Sequence, residues 1–308
     1  MVISIAMTTY NGSKYLRKQL DSILSQTISD FELIICDDNS SDNTFLILEE
    51  YRYKDNRISV HKNATNLGFR KNFEKAISFC KGEYIALCDQ DDIWRENHLR
   101  LLIDNLKDAT ASVGNAQIMD EYDNLSSDLL SERDCYLVDG DDEWKLSRVL
   151  LYGNPFQGTS SLYKKELFNV ALPIPDDVEY HDSWFSACAC CMNGLNYSFE
   201  PITNYRIHSF NASGDHKITL MRQAKNTFNR GKFRTDRLCF ITEIQKRMSN
   251  LSDSIQKILI EAEQFHLNRI NNKRLKVISY LIRNYKCIYS VKNYNRIFLR
   301  CIAILFWG

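Results

Sequence analysis

The stretch KGEYIALCDQDDIW, residues 81–94, decides how this chain is read. Glu83–Cys88 is a short apolar run, which predicts a buried strand. Directly after it come Asp89, Asp91 and Asp92, three carboxylates within four residues. Groups so close repel one another unless a cation or strong donors neutralise them. Hard oxygen ligands of this kind suit Mn2+ or Mg2+, with diphosphate and water completing the coordination. An acidic cap on a helix beginning near Ile93 accounts for the same residues, because Asp is favoured at helix starts. The motif alone leaves both open.

Upstream of the motif, strand and helix alternate. Ile3–Met7 is apolar, Asn11-Gly12-Ser13 turns, and Leu16, Leu20, Ile23 and Leu24 recur at helical spacing. Phe31–Cys36 reads as a strand, Phe45–Tyr51 as a helix, Ile58–His61 as a strand and Asn72–Cys80 as a helix; Leu99–Leu106 adds another helix after the acidic motif. This rhythm predicts an α/β fold with a mostly parallel sheet flanked by helices. Ligands of such sheets bind at the carboxyl ends of the strands. Three strands end there in polar clusters: Thr8-Thr9-Tyr10-Asn11, Asp37-Asp38 and Asp89–Asp92. A carboxylate at Asp38 can accept the ring N–H of a pyrimidine, with Thr8 and Tyr10 packing on and hydrogen-bonding the base. The competing role for this pair is an Asx turn ahead of the next helix.

Beyond residue 110 the rhythm loosens. Asp120–Glu143 is acidic and rich in turn formers, which predicts a mobile loop region. Trp144–Leu151 and Ser183–Met192 read as helices and Thr159–Tyr163 as a strand. Gly158, next to that strand, either lets a sugar approach the backbone on the acceptor side or simply ends a loop. His181-Asp182-Ser183-Trp184 opens a helix after a Pro-Ile-Pro turn. Asp182 suits a helix start, and Trp184 either stacks on a sugar ring or fills the core.

Taken in order, TTYNG (8–12), ICDDNSSDNT (35–44), NLGFRKNFEKAI (66–77) and KGEYIALCDQDDIW (81–94) resemble glycosyltransferase family 2, most closely its bacterial rhamnosyltransferase-like members. The resemblance implies a GT-A fold and inverting transfer of a sugar, with a leaning to rhamnose, from a nucleoside-diphosphate sugar. A dTDP- or UDP-linked donor and a glycan or lipid-linked acceptor of surface polysaccharide synthesis go with it. By resemblance Asp38 binds the base, Asn66 and Asn72 help hold the donor, Asp89 and Asp91 are the outer carboxylates of the DxD motif, and Asp91 ligates the metal. Asp182 stands where the family has its catalytic base. Such a base takes the acceptor proton while the hydroxyl attacks opposite the diphosphate. Tyr205-Arg206-x-His208 resembles the segment that closes over the diphosphate, with Arg206 pairing to phosphate and His208 on the metal or the leaving phosphate.

Net charge is zero over 308 residues, yet residues 217–308 hold 19 Lys or Arg against 5 Asp or Glu. The organisation expected is a catalytic domain over 1–215, its nucleotide half about 1–110 and acceptor half about 111–215, followed by a basic helical extension over 216–308. In that extension Leu275, Ile278, Ile282, Tyr285 and Tyr289 line up as an apolar stripe, with Lys273, Lys276, Arg283 and Lys286 on other sides. The pattern predicts a helix lying on an anionic membrane surface, and Ile302–Trp307 is too short to span one. A helical subdomain packed on the core is the alternative; nucleic acid is disfavoured because no binding motif accompanies the charge. Truncation after about residue 264 is then expected to leave a soluble protein with weaker vesicle binding. The ten cysteines lack paired CxxC spacing, and the start has no secretion signal. Reduced thiols and a cytoplasmic location, peripheral on the inner membrane face, are the expectation.

Three rival functions were weighed. A nicotinamide-linked dehydrogenase lacks its G-x-G-x-x-G after the first strand. A nucleotidyltransferase would want a glycine- and cation-rich loop where TTYNGSKYL stands. A non-catalytic sugar-nucleotide module has no need of Asp89, Asp91, Asp182 and His208 together.

Overall fold

A computed structural model describes residues 3–135, 138, 140–151, 153–209 and 236–284. Strands β1 (Ile3–Thr9), β2 (Phe31–Asp37), β3 (Ile58–Lys62) and β4 (Tyr84–Cys88) alternate with helices α1 (Leu16–Leu24), α2 (Thr44–Lys54) and α3 (Phe69–Phe79). Then follow β5 (Ile93–Trp94), α4 (His98–Leu106), β6 (Ala111–Met119), β7 (Leu125–Leu129), α5 (Asp142–Leu151), β8 (Ser161–Lys164), α6 (Leu167–Ala171), α7 (His181–Cys190) and β9 (Leu195–Arg206). The sheet runs β3-β2-β1-β4-β8-β6-β9-β5, with β7 hairpinned onto β6. Its first four strands are parallel, as the alternation predicts. Past β4 it is mixed: β8 is antiparallel to both β4 and β6, whereas β9 is parallel to β6.

β1 is buried along its whole length because helices cover both faces of the sheet. Side chains alternate between those faces. Ile3, Ile5 and Met7 join Leu16, Leu20, Leu99 and Leu102 in one core. Ala6 and Ile34 face Phe73, Ala76 and Ile77 in the other. That second core continues through α5 and α7 into three C-terminal helices, α8 (Asp236–Arg247), α9 (Asp253–Ile270) and α10 (Arg274–Arg283). Phe240, Ile244, Phe265, Val277 and Leu281 are buried there. The packed-subdomain alternative therefore describes α8–α10. Truncation near residue 264 would strip Phe265, Val277 and Leu281 from the core, so the expectation of an intact, soluble remainder is withdrawn. Tyr285, Lys286, Tyr289 and Ile302–Trp307 lie outside the described residues.

Two local readings also change. The segment 120–143 is not simply a loop: Asp120 opens a tight turn, accepting from the N–H groups of Tyr122 and Asn124, and the chain returns as β7 and a 3-10 helix over Leu130–Cys135. The run Thr159–Tyr163 begins as a 3-10 turn, Gly158–Ser160, before pairing as β8. Among the described residues no helix is long and apolar enough to cross a membrane.

Candidate active site

The parallel register sets the carboxyl ends of β1, β2 and β4 side by side, with Thr9 opposite Asp37 and Met7 opposite Cys88. The three polar clusters thereby share one sheet edge. Gln90, inside the acidic motif, ties two of them together. The Tyr10 N–H donates to its Oε1 at 2.8 Å, and its Nε2 donates to the Tyr10 carbonyl at 3.0 Å. Gly12 permits this approach, since a Cβ there would lie 2.1 Å from Gln90 Oε1. Thr8 is buried beside this junction and the Tyr10 ring stays half exposed.

Asp38 is buried and receives three donors: Asn63 Nδ2 at 2.7 Å and the N–H groups of Leu67 and Gly68, each at 2.8 Å. It thus holds the loop before α3 in place and retains one free lone-pair direction for a ligand. Asn66 is exposed in that loop and accepts from the Gly68 N–H. Asn72 is different. It is buried, accepts from Asn63 and donates to the Cys36 carbonyl, so it braces α3 against β2 and does not face a donor. Its place in the donor contact set is corrected to that of a brace. Asn63, which joins Asp38 to Asn72, went unnoticed because nothing local distinguishes it from a turn asparagine.

The acidic motif is electrostatically strained. Desolvation first, then the Asp91 and Asp182 carboxylates, push Asp89 up to about 7. Desolvation, Asp91 and Asp89 raise Asp92 well above the ordinary range, although Asp92 Oδ1 accepts from the Arg206 N–H at 2.9 Å. Asp91 Oδ2 lies 2.8 Å from His208 Nε2, so a carboxylate and an imidazole from residues far apart in the chain converge on one point. Two such donors at about that separation match adjacent ligands of one divalent ion. Among the described residues no group of three or more His, Cys, Asp or Glu converges to hold a metal alone. The residues fit a metal that takes its other ligands from a diphosphate.

Asp182 sits in the first turn of α7 and accepts from the Ser183 N–H at 2.6 Å. Desolvation raises its carboxyl to about 6, against the lowering effects of that N–H, the Arg237 charge and Asn154. It lies within electrostatic reach of Asp89. Gly158 belongs to the same spot: a Cβ there would lie 3.5 Å from Asp182 Cβ and 3.3 Å from His181 Nε2.

Two expectations fail. Trp184 is 0% exposed, donates its indole N–H to the Ala171 carbonyl at 2.7 Å and packs edge-on against Phe240. It fills the core and cannot stack on a sugar. Arg206 is also 0% exposed. Its Nε donates to the Asp91 carbonyl at 2.6 Å, its Nη1 binds the Asp120 carbonyl and the Asp123 carboxylate, and its guanidinium lies over the Tyr15 ring. The guanidinium grips the acidic motif from behind and has no exposed face for a phosphate.

The family model for glycosyl transferase family 2 matches residues 4–169, so the chain belongs to that family. It is 33% identical over 181 residues to glycosyltransferase GlyG of Streptococcus pneumoniae, covering 54% of this chain and 58% of that protein. It is 27% identical to the Escherichia coli UDP-Glc:alpha-D-GlcNAc-diphosphoundecaprenol beta-1,3-glucosyltransferase WfaP, over 72% of this chain and 84% of that one. With WfgD, a second E. coli UDP-Glc:alpha-D-GlcNAc-diphosphoundecaprenol beta-1,3-glucosyltransferase, identity is 38% over 33% of this chain and 40% of that protein. The match thus spans about half the length of GlyG and WfgD. In fold, the chain superposes on S. aureus TarS 1–349 in complex with UDP-GlcNAc with a TM-score of 0.59 at 16% identity, covering 99% of this chain and 87% of that one. The mannosyltransferase PcManGT from Pyrobaculum calidifontis, with GDP-Man and Mn2+, gives 0.57 at 17%, with the same coverage. The fold is that of the GT-A glycosyltransferases.

Proposed function

We propose that this chain is an inverting glycosyltransferase that moves a hexose from a UDP-sugar to a lipid-linked saccharide of a bacterial surface polysaccharide. The reading is carried by the meeting of Asp91 and His208 at the end of β4, with Asp182, in the first turn of α7 beside Gly158, within electrostatic reach of Asp89. Asp182 takes the proton of the acceptor hydroxyl as that oxygen attacks the anomeric carbon from the side away from the diphosphate. Gly158 leaves backbone space for the acceptor beside it. Asp91 and His208 hold a divalent ion, Mn2+ or Mg2+, which when bound supplies positive charge to the departing diphosphate. Asp38 accepts from the base, the Tyr10 ring covers it, and Asn66 lines the loop alongside.

Uridine is preferred over thymidine because WfaP and WfgD are both named for UDP-Glc, and no relative reported above is named for rhamnose. Their diphosphoundecaprenol acceptors also support a lipid-linked substrate, and with it a peripheral position on the inner membrane face. Helix α10 supports contact with an anionic bilayer: Val277 and Leu281 face the core, while Leu275 and Ile282 are 76% and 55% exposed among Lys273, Lys276 and Arg283.

The test is a thermal-shift panel of UDP-glucose, UDP-galactose, UDP-GlcNAc, GDP-mannose and dTDP-rhamnose with Mn2+. A ligand at a hundred times its Kd stabilises by about 2.7 kcal/mol. A UDP-sugar should give the largest shift, with release of UDP on turnover. A larger shift with dTDP-rhamnose would overturn the donor assignment, and a flat panel the whole reading.

A further inference from the structure

We infer that Asp123, in the turn between β6 and β7, is a positioning residue for the metal-binding pair Asp91–His208, acting through Arg206. The inference rests on the proposed metal role of Asp91 and His208 and adds a residue that no motif contains.

Arg206 and His208 leave the end of β9 two residues apart and both reach Asp91. Arg206 Nε holds the Asp91 carbonyl at 2.6 Å, and His208 Nε2 meets the Asp91 carboxylate at 2.8 Å. The Arg206 N–H also pins the side chain of Asp92, the next residue. The backbone and the side chain of Asp91 are therefore both set by one strand end. A guanidinium buried to this degree needs a compensating anion. Asp123 provides it and is itself held, by Lys18 of α1 and by a turn whose Asp120 accepts from Tyr122 and Asn124. Lys14, two residues ahead of α1, binds Glu121 at 2.9 Å, so the chain at the start of α1 is bridged to this turn twice. Tyr15 closes the cluster, its ring 4.4 Å from the Arg206 guanidinium and 5.0 Å from the His208 ring.

If Asp123 loses its charge, Asp91 and Asp92, which Arg206 already touches through the Asp91 carbonyl and the Asp92 carboxylate, are anions to which the guanidinium can turn. Asp91 or Asp92 would then pair with Arg206, and the Asp91–His208 separation would no longer suit an ion. Groups bonded directly to a metal ligand, as Arg206 is, typically alter affinity 10–100-fold, and Asp123, one step further out, acts at the lower end of that range.

The experiment measures Mn2+ binding by electron paramagnetic resonance in the presence of saturating UDP, which supplies the remaining ligands, and UDP binding by calorimetry in EDTA, for the full chain and for Asp123→Asn and Asp123→Glu. Asp123 is 30% exposed and lies in a surface turn, so its replacement leaves both cores intact, which thermal melting verifies. The expected result is Mn2+ affinity about tenfold weaker in Asp123→Asn and largely restored in Asp123→Glu, with UDP affinity in EDTA unchanged. At saturating Mn2+ the kcat should return to near wild type. Unchanged Mn2+ affinity in Asp123→Asn would overturn the inference, as would tighter UDP binding in EDTA, which would mean that Arg206 had been released toward phosphate. Absence of Mn2+ binding by the wild-type chain would overturn the metal assignment itself, and the inference with it.

Discussion

If Asp182 is the base, as proposed, its environment dictates a pH dependence. Desolvation raises its carboxyl to about 6, and only the ionised form can accept a proton. The sign follows: kcat/KM should rise as pH increases through about 6, level off above it, and fall about tenfold per pH unit below. A profile flat from pH 5 to 8 would rule Asp182 out as the base. Asp182→Asn keeps the size and the hydrogen bond from Ser183 but removes proton affinity, so kcat should drop by roughly 10² to 10⁴ while UDP binding stays unchanged. His181, next to it, is held neutral: burial among Phe73 and Phe185 pushes its imidazole down to about 3. With so little affinity for a proton it is a poor base beside Asp182.

At the scale of elements, the site is a set of strand ends and the struts between them. The β1 and β4 ends are joined by the paired hydrogen bonds of Tyr10 and Gln90, and Gly12 is what lets them meet. Gly12→Ala would place a methyl group where the Gln90 amide now lies, and that flexible side chain would swing away. Two hydrogen bonds of about 1 kcal/mol each would be lost at the rim proposed to bind the base. Calorimetry should show UDP affinity about tenfold weaker, equivalent to about 1.4 kcal/mol, with little change in Tm. Wild-type affinity in this variant would separate the Tyr10 loop from nucleotide binding. The neighbouring strut, Asn63 between Asp38 and Asn72, does the corresponding work for β2 and α3.

At the scale of the whole molecule, the acid-free stretch after residue 263 ends the described chain on a helix with two apolar sides. One side of α10 completes the core, and the other carries Leu275 and Ile282 among cations. The double variant Leu275→Gln/Ile282→Gln should therefore fold normally yet sediment less with vesicles containing phosphatidylglycerol, with little change for neutral ones. Equal sedimentation would show that α10 does not touch the bilayer. Much of the architecture was legible from the chain alone. The apolar runs of β1, β2 and β4 are continuous because helices cover both faces of the sheet, and continuity of that kind survives in a linear string. The positions of Asp89, Asp91 and Asp182 were legible for a related reason: each lies where a strand ends or a helix begins, and the local pattern marks such places, whereas their proposed roles came from the family resemblance. What only the tertiary structure decided is where long side chains go. Arg206 looked like a phosphate ligand until its guanidinium was found gripping Asp91, 115 residues away, and Asp123. Trp184 could stack on a sugar or fill the core, and its indole N–H on Ala171 decides for the core. Periodicity is a property of neighbours along the chain, so sequence determines which face an element buries. The partner that neutralises a buried charge or satisfies a buried N–H arrives from a distant element, and no local pattern encodes that meeting.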